Sequence, residues 1–253
     1  MDISLKRSLL NEKPARDPNR DPVIFLLGDS VRYTSNRHCG YGLFAAQQLQ
    51  DDCGVYMPPE DCGSAEMILR NANRWSRMFT ACHRHDVDIV HWNCGLWDIE
   101  CIMGDEPITP IKEYKSKLVR IHHRLREIFP NAVIVFATTT PVFELDQFGS
   151  VRHFNREVVA YNRAALEVLE PLGAVIDDLY TAAKDFDGRT MYSSAVNLSP
   201  RGAEKLAQTV AACIRAVYAR REEYMKMQAE AAKKAYIAAC ERENIPCELH
   251  FEQ

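Results

Sequence analysis

Five short runs of apolar, β-branched and aromatic residues punctuate the chain, at 23–27, 54–57, 87–92, 132–138 and 174–176. Each has the length and the unbroken hydrophobicity of a strand buried on both faces. Longer stretches with apolar residues at helical spacing lie between and after them, at 43–49, 65–80, 111–129, 156–169 and 201–218. Strands alternating with helices of this length predict βα repeats, a mostly parallel sheet and helices on both of its faces. The expected architecture is a three-layer α/β/α domain with a five-stranded sheet over 23–219. Residues 11–22 are polar and carry Pro14, Pro18 and Pro22 among charges, so 1–22 is expected as a lead-in. Beyond Tyr218 the chain turns rich in Ala, Lys, Glu and Met, so 220–253 is expected as a helical extension. That helix either packs on its own domain or joins two copies of the chain through Met225, Tyr236 and Ile237, which would make a homo-oligomer.

Composition narrows the classes of function. The 253 residues are 47% hydrophobic and 26% charged, with 31 basic against 35 acidic side chains and a formal charge of −4. No clustered excess of Lys and Arg marks a nucleic-acid surface, and no apolar run reaches the roughly 20 residues of a membrane span. The basic start of the chain lacks the apolar stretch of a signal peptide. Nine cysteines, an odd number without paired CxxC spacing, read as free or buried thiols of a reducing compartment, not as disulfides or zinc ligands. A cytoplasmic protein with a small-molecule or glycan ligand is the expectation.

In parallel α/β sheets, ligands bind beyond the carboxyl ends of the strands. After the first run stands Gly28-Asp29-Ser30, where a tight turn leaves a serine at the strand end. Its hydroxyl can serve as a nucleophile and its N–H can face a developing oxyanion; equally, Gly, Asp and Ser are ordinary turn and cap residues. The third run ends in Asn93-Cys94-Gly95-Leu96-Trp97-Asp98, placing an amide and a carboxylate together as an oxyanion donor or as a structural Asn and a helix cap. The fourth ends in Thr138-Thr139-Thr140-Pro141, a rim of hydroxyls or simply the end of a β-branched strand.

Gly28-Asp29-Ser30, Asn93-x-Gly95-x-x-Asp98, Ala137-Thr138-Thr139-Thr140-Pro141-Val142 and Asn197-Leu198-Ser199-Pro200-Arg201-Gly202, in that order over about 23–218, resemble the blocks of the GDSL/SGNH hydrolases. The resemblance implies a flavodoxin-like α/β/α fold and hydrolysis of acyl or acetyl esters without a metal or any other cofactor. It makes Ser30 the nucleophile and an oxyanion donor, with Asp29 beside it, and matches Gly63 to the second-block glycine donor. Two positions depart from the pattern. Trp97 stands where the oxyanion asparagine is usual, leaving Asn93 as the substitute donor. Aligned on Leu198-Ser199-Pro200, Ser194 takes the place of the family aspartate and Asn197 that of the family histidine, the general base.

An amide cannot take a serine proton, and a serine without a base is a poor nucleophile at neutral pH. His38, in the loop after Ser30, and His153, after the fourth strand, are the histidines that chain order places on the correct side of the sheet. His83 and His85 are expected to end a helix, His122 and His123 to lie within one, and His91 to be satisfied in the core. Asp177 and Asp178 read as turn or cap residues. The functional expectations are therefore a serine ester hydrolase with an impaired relay, a degenerate relative binding an acylated ligand or a protein, or a scaffold acting through its C-terminal helix.

Overall fold

The computed structural model describes residues 21–36, 38–78, 86–104, 106–144 and 151–247. His83, His85 and nearly all of the lead-in lie outside them. Strand β1 (Val23–Leu27) is buried along its whole length, as are β3 (Ile89–Trp92) and β5 (Val133–Ala137). With β2 (Gly54–Tyr56) and β7 (Val175–Asp177) they form one parallel sheet in the order β2-β1-β3-β5-β7. Every pairing in it is parallel. Two residues each of β4 (Cys101–Ile102) and β6 (Val151–Arg152) add a separate antiparallel pair, too short to leave a periodic signal.

On one face α1 (Tyr41–Leu49) packs on α7 (Pro200–Ala219), which also carries the short α5 (Leu179–Ala183) and α6 (Gly188–Met191). On the other, α2 (Ala65–Trp75), α3 (Ile111–Ile128) and α4 (Asn155–Leu169) pack in succession. Helix α2 stops at Trp75 and tightens into a 3₁₀ turn, Ser76–Met78, short of the helix length expected from the pattern. Because the chain crosses from β2 over β1 to β3, the strand order reverses at β1, and the carboxyl ends of β1 and β3 flank the switch point at which sheets of this kind bind ligands.

The C-terminal extension is a separate helix, α8 (Arg221–Glu243), broken from α7 at Arg220. Its buried residues Gln228, Ala232, Tyr236, Ala239 and Cys240 fall on one face. Gln228 acts as a stand-in strand: its Oε1 accepts from the Ile134 N–H at 3.2 Å and its Nε2 donates to the Ile134 carbonyl at 3.0 Å. Pairing of β7 begins only at Val135, so this stretch of β5 would otherwise lack a neighbour on that side. Arg221 pairs with the buried Asp88 at 3.2 Å, fixing the start of the helix. Replacing Gln228 by leucine strands two buried backbone groups and is expected to lower stability by about 2–4 kcal/mol. Urea unfolding measures this, and a loss under about 1 kcal/mol would mean the pairing carries little.

Candidate functional site

The turn after β1 is built to be rigid. Asp29 is fully buried; its Oδ1 accepts from the Val31 N–H at 3.0 Å and from Asn93 Nδ2 at 2.8 Å, and the Tyr41 hydroxyl donates to Asn93 Oδ1 at 3.1 Å. Asn93 thus ties the loop after β3 to the turn after β1, and is 3% exposed. Arg32, 1% exposed, donates to the carbonyls of Gly28 at 3.1 Å, Pro58 at 2.9 Å and Glu60 at 2.6 Å. The Cys62 N–H reaches the Gly28 carbonyl at 3.0 Å. One guanidinium and one amide therefore lock the segment that leads to Gly63 against the serine turn. Ser30 itself is 9% exposed, and among the described residues its hydroxyl makes no hydrogen bond.

Gly63 has a left-handed φ of +62°, and its N–H donates to Asp61 Oδ1 at 2.8 Å. The second-block donor of the sequence reading is thus already engaged by a carboxylate of its own turn. Burial raises the pKa of Asp61 against the hydrogen bonds it accepts from Gly63 and Trp97; Trp97, where an asparagine is usual, is 39% exposed. Asp98 accepts from the Ala65 N–H at 2.9 Å and, with Ser64, caps α2, holding the Trp97 loop beside Gly63. Two of the three rim threonines are structural: Thr138 Oγ1 donates to Asp178 Oδ1 at 3.1 Å and Thr139 Oγ1 to the Cys94 carbonyl at 3.0 Å, while the Asn162 amide pairs with both backbone groups of Thr139 at 2.8 Å; Thr140 Oγ1 is buried with no hydrogen-bond partner among the described residues.

The last loop returns to the same end of the sheet. Leu198 bridges both Cys39 and Tyr192, laying Asn197 and its neighbours along the loop that follows Ser30. Asn197 Nδ2 donates to Ser194 Oγ at 3.0 Å, and the Asn197 N–H donates to the same oxygen at 3.2 Å. Asn197 Oδ1 is buried without a hydrogen-bond partner. The two side chains touch as an orienting acid and its imidazole would, yet neither carries a group that titrates near neutrality.

Of the histidines, His91 pairs with Asp177 at 2.8 Å inside the core, and Asp178 caps α5 by accepting from the Thr181 N–H at 3.0 Å. His122 is buried within α3, where burial holds its pKa well below the usual value. His153 is buried, its pKa lowered by burial against a hydrogen bond to the Leu96 backbone, and lies 3.9 Å from Glu100. His38 is half-buried, with Nδ1 3.1 Å from Ser35 Oγ. Arg32, Tyr41 and Asp61 were not singled out by the sequence reading. The Asp-x-Gly spacing at 61–63 was the available signal, because it suits a side-chain-to-backbone turn; backbone acceptors for a buried arginine leave none.

Burial, reinforced by the charge of Asp61, pushes the Asp29 carboxyl up to about 7 against the hydrogen bonds from Asn93 and Val31. A carboxyl raised on folding binds its proton more tightly in the native state, so its contribution is complete below about pH 4 and is lost as pH rises through about 7. Asp29→Asn mimics the protonated form. It is expected to gain stability relative to the parent between pH 5 and pH 8, read from urea unfolding at the two values; a difference independent of pH would contradict this.

Among the described residues no helix is long and apolar enough to cross a membrane, and no group of three His, Cys, Asp or Glu is arranged to hold a metal. No family model matches the chain. It is 24% identical over 199 residues to the isoamyl acetate-hydrolyzing esterase 1 homolog of Homo sapiens, covering 73% of this chain and 78% of that protein. A lipase/acylhydrolase from Enterococcus faecalis superposes with a TM-score of 0.59 at 16% identity, over 77% of this chain and 96% of its own. A carbohydrate esterase family 3 structure from Talaromyces cellulolyticus does so with 0.56 at 14%, over 78% and 97%. The chain carries the GDSL/SGNH hydrolase fold.

Proposed function

We propose that the protein is a serine ester hydrolase of the SGNH type, acting on a short acyl group of a small or carbohydrate-linked ester. The observation that carries this reading is the unpartnered Ser30 hydroxyl at the carboxyl end of β1, where the strand order reverses. Similarity to the isoamyl acetate-hydrolyzing and carbohydrate esterases supports it.

Ser30 Oγ gives up its proton as it attacks the ester carbonyl, the carbonyl π pair moves to oxygen, and collapse expels the alkoxide, which takes up that proton and leaves as the alcohol; water then adds its hydroxyl to the acyl-serine and its proton returns to Ser30 Oγ. The Ser30 N–H and the second amide hydrogen of Asn93 are the oxyanion donors, joined by the Gly63 N–H once Asp61 yields it. Ser194 and Asn197 stand in the proton-relay positions and supply no base, so the relay is impaired. Hydrolysis of 4-nitrophenyl acetate beside Ser30→Ala tests the assignment: the parent is expected to turn over slowly and the variant to match the protein-free rate. Equal rates in both would remove Ser30 from the chemistry.

The hydrogen-bonded Ser194–Asn197 pair, which conserves a contact while losing its titration, favours one second reading. The cleft then binds an acylated or glycan ligand without cleaving it, and isothermal titration with the intact ester would show binding without turnover.

A further inference from the structure

Resting on the hydrolase reading above, we infer that His38 serves as the general base for Ser30, oriented by Ser35. The loop between Ser30 and α1 is folded tightly on itself. The Tyr41 N–H returns to the Val31 carbonyl at 2.8 Å, the Ser35 N–H to the His38 carbonyl at 3.0 Å, and Thr34 Oγ1 accepts from the Gly40 N–H at 3.0 Å. Cys39, the next residue after His38, forms an antiparallel bridge with Leu198, which sets His38 opposite Ser199 and Asn197 opposite Gly40. His38 is therefore carried on the strip of backbone that pairs with the 197–199 loop, diagonal to the position where the fold's usual base is missing.

Its ring nitrogens are in unequal states. Nδ1 lies 3.1 Å from Ser35 Oγ, whereas Nε2 is buried and has no hydrogen-bond partner among the described residues. His91 Nδ1 and the ring nitrogens of His122 are in the same state, but those rings sit within β3 and α3, whereas His38 lies in the loop that follows Ser30. With the proton on Nδ1 and shared with Ser35, Nε2 keeps its lone pair, the tautomer a base requires. Beside the ring stand the Tyr33 ring, edge-on at 6.2 Å, and the Ser35 hydroxyl. Burial raises the pKa of Asp61, and the charge of His38 opposes that rise, an attraction that also favours the imidazolium once it forms. His153, the other histidine on this side of the sheet, is already bonded to the Leu96 backbone.

In the reaction, Nε2 accepts the Ser30 proton as Oγ bonds to the acyl carbon, and the imidazolium returns that proton to the departing alkoxide. A water then loses its proton to the same nitrogen as it attacks the acyl-serine, and Ser30 regains it when the acid leaves.

The test is the pH dependence of 4-nitrophenyl acetate hydrolysis by the full chain, with His38→Asn, His38→Gln and Ser35→Ala. The same His38 substitutions are also placed on a Ser194→Asp/Asn197→His background. Loss of His38 is expected to lower kcat/KM about 10²-fold, to abolish the limb of the pH profile that reports the general base, and to be partly rescued by added imidazole. On the doubly substituted background it is expected to matter little, because a second base is then present. Ser35→Ala is expected to lower kcat/KM while keeping the limb. An unchanged profile in both His38 variants, with Ser30→Ala still inactive, would overturn the assignment and leave the hydrolase reading standing. A parent no faster than Ser30→Ala would overturn both.

Discussion

Substituting Ser194→Asp together with Asn197→His is expected to raise kcat/KM for short-chain aryl esters by about 10²-fold or more, equivalent to about 3 kcal/mol of transition-state stabilisation. The contact that this pair requires is already in place. Asn197 Nδ2 donates to Ser194 Oγ at 3.0 Å, so the two positions are held in hydrogen-bond register by the loop around Leu198. An imidazole and a carboxylate at these positions inherit that register, with one ring nitrogen donating to the acid and the other free as base. Either substitution alone should give less: a lone imidazole lacks its orienting acid, and a lone carboxylate has nothing to orient. Steady-state kinetics of the parent, both single variants and the pair measure the effect. Identical rates throughout would mean that position 197 does not face the nucleophile.

Gly28→Ala is expected to lower stability by about 3 kcal/mol. A Cβ at Gly28 would stand 2.1 Å from Asn93 Oδ1 and 2.7 Å from Arg32 Cβ. Neither neighbour has room to withdraw. Asn93 is held between Asp29 and Tyr41, and Arg32 is clasped by three backbone carbonyls. The added methyl group must either break this buried network or push the β1 turn away from the loop after β3. Esterase activity is expected to fall with stability, because the same network holds Ser30 against the Gly63 segment. Thermal unfolding would contradict the account if the variant melted within about a degree or two of the parent.

These sites show which features a sequence can carry. The strands were legible because β1, β3 and β5 are apolar without interruption, the mark of a strand covered on both faces. The long helices were legible from their spacing, and the serine turn from Gly28-Asp29-Ser30. Polar groups that satisfy backbone atoms far along the chain were not. Gln228 reaches Ile134 across 94 residues and His91 reaches Asp177 across 86, with no local pattern to announce either. Helical propensity forecast α8 but could not say which face it buries, and the small residues of that face, Ala232 and Ala239, look like any helix former. The rim threonines illustrate the reverse case: their hydroxyls suggested a binding edge, whereas Thr138 and Thr139 bond to Asp178 and the Cys94 carbonyl.

The measurement that bears most directly on the central claim is covalent trapping of the nucleophile. The purified chain is treated with a fluorophosphonate, digested, and mapped by mass spectrometry. The account predicts a single phosphonyl adduct on the peptide containing Ser30, slow to form in the parent, faster after Ser194→Asp/Asn197→His, and absent in Ser30→Ala. An adduct on another residue, or none on Ser30 even with the Asp–His pair restored, would contradict it.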